Sequence, residues 1–430
     1  MLCNNFNSGN IMQEKKVVIT GLGVIAPNGI GIEKFWSNTL KGISGIKPYE
    51  WGKRFGFKST AIGRIDDFSP FLYDISERQI QNSGRYLQFA LAAAHMAISD
   101  SGLRINEIER FRFGVMVASA IADAATMEQN LLLMTDNGTE ENDADWAGRH
   151  FYDNLDFGSA AFSIARKYGA MGPVSNLSTG CTAGLDALGF AFEQIRSGKV
   201  DVMIAGASEA PLCPLSVGSF EALGALSTRD CADKTQTSCP FSAERDGFVI
   251  AEGCGIFVLE EYTHAVQRGA KIYAEVAGYA SVNNAWHMTD LPSDGEALAS
   301  CIFAALKDAK CGTDDIDHIG AHGSSTTQND ANETGAIKRV FGERAYHIPV
   351  NSLKAMTGHA LAAANAIELV AMCLEIEHQT IFPTINYQQP DGQCDLDYVP
   401  NEARAASIRS AIKLSSGFSG IHSAVVLQAG

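Results

Sequence analysis

The sequence predicts a layered α/β protein with buried sheets, and three observations predict it. Apolar runs of strand length alternate with longer segments of helical periodicity along the chain. The alternation occurs on both sides of the midpoint, so the second half repeats the theme of the first. The opening candidate, VVITGLGVIAP, reads as a buried strand ended by Pro27-Asn28-Gly29.

Bulk composition agrees with that scale. The chain has 430 residues, of which 46% are hydrophobic and 19% charged. A disordered chain would be poorer in apolar residues. At about 150 residues per domain, the length fits two or three domains or one two-lobed unit. Lys plus Arg is 33 and Asp plus Glu is 49, so the formal charge is 33 − 49 = −16. That balance argues against nucleic-acid binding, which needs a basic face. No run reaches the roughly 18 apolar residues of a membrane span. The first residues, MLCNNFNSGNIMQEKK, lack the apolar core of a secretory signal. The ten cysteines contain no CxxC pair and are expected to be reduced, so the expected compartment is cytoplasmic and no metal site is expected.

The elements follow in order. Residues 1–14 read as an N-terminal extension. A helix is expected around GIEKFWSNTLKG, and another over 82–103, Ala-rich and stopped at Gly102. FRFGVMVASA reads as a strand, 124–168 as helical and irregular, and PVSNLST as a short buried strand. TAGLDALGFAFEQIRSGK is a helix and VDVMIAGASEA a strand. GFVIAEGCGIFVLEEY is expected to supply two strands. The first half, 15–268, meets the second, 269–430, with no Pro/Gly/Ser linker between them, so the halves are expected to pack as one body. In the second half KIYAEVAGYASV, DHIGAHG, HIPVNSLK, AIKLSSGFSG and IHSAVVLQAG read as strands. EALASCIFAALKDAK, NETGAIKRVFG and HALAAANAIELVAMCLEIEHQ read as helices.

Cys181 differs from the other nine cysteines. It sits in STGCTAG, at a corner between a β stretch and a helix beginning at about Thr182. A helix N-terminus presents free N–H groups and partial positive charge, which lower a thiol from about 8.5 towards 7 or below. Such a thiolate could attack a thioester, with the amides holding the oxyanion. The plainer alternative is a buried cysteine in a helix cap.

His322 ends a β run in IGAHGSSTTQND, and His359 precedes a long helix, five residues after Lys354. A cation at Lys354 would keep His359 neutral. Ser324, Ser325, Thr326 and Thr327 could bind a polar arm or only satisfy backbone groups. Phe418 lies in a Gly/Ser turn, SSGFSG, where its N–H could face a ligand. Each of these also has a plain structural reading, as a loop, cap or turn residue.

Together, STGCTAGLDA, GASEAPL, ERDGFVIAEGCG, GAHGSSTTQND, NSLKAMTGHALAAANAIE and SSGFSG resemble the β-ketoacyl synthases of the thiolase superfamily. Within it the chain is most similar to the α ketosynthase subunit of type II polyketide synthases. The resemblance implies a thiolase-like α-β-α-β-α fold built from two similar halves. It implies a decarboxylative Claisen condensation of malonyl-carrier protein with an acyl chain held on Cys181. His322 and His359 would assist decarboxylation, and Lys354 would support the second histidine. The amides of Cys181 and Phe418 would form an oxyanion hole, with Phe418 also gating the site. Ser324 and Thr326 would contact the pantetheine arm, and Asp330 and Glu333 would brace the site. No resident cofactor is implied, because the phosphopantetheine arm arrives on the carrier protein. The implied partners are an acyl carrier protein, a chain-length-factor-like β subunit, and malonyl and acyl thioesters. Two departures stand out: Cys239 and Ser242 stand where family members commonly have an Arg before Pro-Phe and an Asp after it, and the basic residue that fatty-acid members often carry near Gly224 is absent. A homodimeric fatty-acid elongation ketosynthase, a silent chain-length partner and a degradative thiolase are the rival readings; the last needs a second cysteine near the C-terminus, which the SSGFSG loop lacks.

Overall fold

The computed structural model describes residues 14–147 and 151–430. The extension expected over 1–14 falls, except for Glu14, outside the described residues. Ten strands form one hydrogen-bonded path. The first half supplies β1 (Val17–Ala26), β2 (Phe113–Ala118), β3 (Val174–Ser175), β4 (Val202–Glu209) and β5 (Gly253–Glu261). The second supplies β6 (Ala274–Asn283), β7 (His318–Gly320), β8 (Val350–Asn351), β9 (Ser410–Ser416) and β10 (Ile421–Gln428). Gly29–Ile30 adds a short strand beside β1.

The two halves have one topology. Strand order is β3-β2-β4-β5-β1 in the first and β8-β7-β9-β10-β6 in the second. In each, the first three strands are parallel and the last two join antiparallel. The sheets meet where β1 pairs with β6, at Val17–Val276, Val18–Glu275 and Ile19–Ala274.

Helices make the remaining layers. They are α1 (Ile32–Leu40), α2 (Arg85–Ser101), α3 (Ala124–Met134), α4 (Ser159–Tyr168), α5 (Ala183–Arg196), α6 (Pro214–Ala222), α7 (Glu296–Asp308), α8 (Thr327–Phe341) and α9 (Ala362–His378). On one outer face α2 packs on β1, β5 and β4; on the other, α7 packs on β6 and β10. Between the sheets lie α5 and α9, in contact with each other. α9 is buried from Ala362 through Ile376. A helix apolar on all sides belongs in such an interior layer. Small residues allow the close approach of α2: a Cβ on Gly23 would lie 1.9 Å from the Ala93 carbonyl oxygen.

Three expectations are corrected. GFVIAEGCGIFVLEEY forms one strand, not two; Phe248, Ile250 and Ala251 make single bridges to Leu226, His359 and Gly63 instead. These residues are apolar because they line the centre of the protein, not because they join the sheet. PVSNLST holds only the two-residue strand β3, and it is exposed, because it is the outer edge of its sheet. HIPVNSLK likewise shortens to Val350–Asn351, and its lysine starts the helical turn Lys354–Thr357. Among the described residues, no helix is long and apolar enough to cross a membrane.

Candidate active site

The ends of the two interior helices meet at one cavity. Cys181, His322, His359, Phe418, Ser324 and Thr326 all line it. Cys181 sits in the tight turn Gly180–Thr182 just before α5. Gly180 takes a left-handed φ of 62°, which a side chain there would resist. The turn is pinned from both halves of the chain. Thr179 and Thr182 donate to Asp186, the latter at 2.7 Å, and Asp186 also accepts from Tyr279 at 2.8 Å and from Ser423. The Cys181 carbonyl accepts from Asn365 on α9 and from Ser415 on β9, the second at 3.2 Å.

The backbone N–H groups of Phe418 and Cys181 face the sulfur. The thiol is nonetheless pushed up to about 11, chiefly by burial, with Lys354 and the two amides pulling the other way. The expected fall towards 7 is therefore overturned for the resting thiol. The first turn of a helix and two amides cannot repay the water lost beneath two packed sheets. Cys181 as a residue is half-buried and lines the cavity, so its thiol is withdrawn from bulk water but within reach of a substrate.

The imidazoles of His322 and His359 meet edge to face, with centroids 5.3 Å apart. Burial, then the charge of Lys354, holds both well below the ordinary histidine value, so both are neutral. His359 Nδ1 is buried and has no protein partner. Phe248 packs against the His359 ring at 5.0 Å. The main chain of His322 is held by Glu333, which accepts from the N–H of His322 at 2.6 Å and of Gly323 at 2.8 Å. Burial pushes Glu333 up to about 7.

Lys354 lies within the same cluster, but its direct contact is not the one the sequence suggested. Its Nζ donates to the His322 carbonyl at 2.6 Å and to Glu368 at 2.5 Å. It acts on His359 through charge alone. Ser324 and Thr326 share a 2.8 Å hydrogen bond on the cavity wall, and Thr326 also caps α8. Asp330 stands back from the cavity, accepting from the Phe241 N–H at 2.9 Å and from Asn329 at 3.1 Å. Near it, Arg229 reaches Cys239 Sγ at 2.7 Å, and Arg245 pairs with Asp391 at 2.5 Å.

The sequence missed Glu368, Asn365, Ser415 and Lys413. Glu368 carried a usable signal, as a charged residue in the apolar stretch AIELVAMCL; Lys413 carried a like one, between Ile412 and Leu414 of a closing strand.

Comparison with known proteins agrees with this geometry. Residues 14–265 match the β-ketoacyl synthase N-terminal domain and residues 273–388 the C-terminal domain. The chain is 42% identical over 415 residues to the tetracenomycin polyketide synthase ketoacyl synthase alpha subunit of Streptomyces glaucescens, covering 96% of this chain and 97% of that one. A solved ketosynthase, bound to a hexaketide and in complex with its type II acyl-carrier protein, is 61% identical, with a TM-score of 0.92 over 97% of this chain and 100% of its own. The ishigamide ketosynthase/chain length factor is 32% identical, with a TM-score of 0.89 over the same shares. With a thiol, two neutral imidazoles and paired amides on one cavity, and both domains matched in order, the chain belongs to the β-ketoacyl synthase family.

Proposed function

We propose that this chain is the catalytic ketosynthase of a type II polyketide synthase. One observation carries the reading: Cys181, both neutral imidazoles and the Phe418 amide converge on a single cavity. In the first step the Cys181 sulfur attacks an acyl thioester on the carrier protein. The new C–S bond forms as the carrier thiol leaves, and the proton of Cys181 passes through an imidazole to that thiol. Malonyl-carrier protein then loses CO2. The electron pair moves into an enolate, whose oxygen is stabilised by the imidazoles His322 and His359. The carbanion attacks the acyl-Cys carbonyl, and the oxyanion rests between the amides of Cys181 and Phe418. Collapse breaks the C–S bond and frees Cys181, leaving a β-ketoacyl carrier protein two carbons longer.

Ser324 and Thr326, on the cavity wall, are suited to hold the pantetheine arm, which arrives on the carrier protein and makes a resident cofactor unnecessary. Asp330 and Glu333 brace the loops around the site. The basic side chains of Lys53, Arg54 and Lys58 are exposed and offer a docking point for that carrier. Several large apolar side chains between Leu131 and Val174 are exposed, and β3 is an open sheet edge, features suited to a chain-length-factor-like subunit. The nine described cysteines are unpaired, in keeping with the cytoplasm.

The test is reconstitution with a β subunit, carrier protein and malonyl donor, followed by mass analysis of the carrier-bound chain. Poly-β-ketone growth that Cys181→Ala abolishes is expected. A stable homodimer that extends saturated acyl chains alone would sink the polyketide reading.

A further inference from the structure

Lys413 lies on β9 and is 1% exposed. An interior lysine is costly unless its donors are satisfied and its charge is matched. Here Nζ donates to the carbonyls of Ala321 at 2.6 Å, Leu414 at 3.0 Å and Gly320 at 3.2 Å. Three carbonyl acceptors match the three N–H groups of an ammonium, where a neutral amine has two; burial pulls the Lys413 pKa below its ordinary value, and Glu368 and Glu333 pull it back up. Its counter-charge is Glu368 Oε2, at 2.7 Å. The other oxygen of the same carboxylate faces Lys354 Nζ at 2.5 Å.

The arrangement has a direction. Gly320, Ala321 and His322 are consecutive, and their carbonyls all point at two ammoniums bridged by one carboxylate. Gly320 makes the room: a Cβ there would come within 3.1 Å of Lys413 Cδ and 2.5 Å of Met372 Cε. Two ammoniums against the Glu368 carboxylate put positive charge beside the imidazoles, offset in part where Glu333, which also acts on Lys413, is ionised. Lys354 and Lys413 act on both rings and His422 on that of His322; Cys181 shares their cavity, Glu333 holds the His322 main chain and Glu368 pairs with the two lysines.

We propose that Lys413 is a positioning residue for the condensation: with Lys354 and Glu368 it clamps the main chain that carries His322 and keeps positive charge beside both rings. The inference rests on the ketosynthase reading above. The charge resists protonation of either ring and favours the enolate as it forms. Its effect on both rings is in that direction, adding to burial and to Lys354.

Lys413→Met, similar in length and uncharged, tests it in the full chain with its partner subunit. Condensation is expected to fall about ten- to a hundredfold, as for a misplaced group near the chemistry, while acyl loading of Cys181 changes by less than about threefold. The acid limb of the rate–pH profile is expected to move to higher pH, because rings relieved of a neighbouring cation take up protons sooner. Lys413→Gln, which keeps a donor for Ala321 without the charge, is expected to show the same shift. Unchanged condensation, equal losses of loading and condensation, or an unmoved acid limb overturns the proposal. So does failure of both variants to fold, which would make Lys413 a folding residue. Absence of condensation in the unmodified enzyme would sink the ketosynthase reading instead.

Discussion

Alkylation of Cys181 reads out the burial of its thiol. Only the thiolate reacts, and each pKa unit changes its population tenfold. With the thiol at about 11, the anion is about one part in 10⁴ at pH 7, against about three parts in 100 for a free cysteine near 8.5. That is a deficit of about 300-fold. The more basic thiolate is the better nucleophile, by about tenfold over this interval, which leaves a net slowing of about thirtyfold. The assay is iodoacetamide labelling between pH 6.5 and 9.5, followed by peptide mass analysis, with the same chain in urea as reference. The logarithm of the rate is expected to rise with unit slope and no plateau. Lys354→Met, by removing a cation, is expected to slow labelling further. A plateau below pH 8 would refute the reasoning, because it would mean that the helix end and the two amides outweigh burial.

Three other outcomes are expected. Glu368→Leu leaves two buried ammoniums without a counter-charge and should cost about 3–5 kcal/mol in urea unfolding; a loss below about 1 kcal/mol would show that the cluster is hydrated. Glu333 rises from 4.5 to about 7 on folding, so the folded state binds the extra proton and stability falls as pH rises from 4.5 to 7. The fall is about 3 kcal/mol at most; Glu333→Gln should lose it, and identical slopes in the two proteins would contradict the assignment. Gly23→Ala drives a methyl group into the α2 backbone and should lower stability by about 3 kcal/mol or more, whereas a normal melting temperature would mean that α2 can retreat from β1.

Much of the architecture was legible because periodicity survives in the sequence. α2 and its stop at Gly102, with φ 62°, follow from an Ala-rich apolar face and a terminal glycine. The corner at Cys181 was legible from its crowd of small residues. Longer-range facts were not. Phe248 and Ile250 are apolar in either a strand or a site wall, and only partners such as His359, more than a hundred residues away, decide between them. The helix end that should acidify Cys181 is local and visible in the sequence. The second half that dries the thiol is not. Glu368 lies 14 residues after Lys354, but Lys413 is on a separate strand beyond the helix, and nothing in the sequence announces that one carboxylate serves both lysines.

The shared middle layer has a consequence for biosynthesis. On the ribosome the first half emerges with the residues of α5 made but those of α9 not yet, although α9 packs on both α5 and the first sheet in the folded chain. From Arg196 to His378 is 378 − 196 = 182 residues, or about 10 to 35 s of translation at 5–20 residues per second. For that interval a nascent chain carries a bare apolar helix face and a thiol still open to water, so its yield depends on what shields that face before the second half arrives.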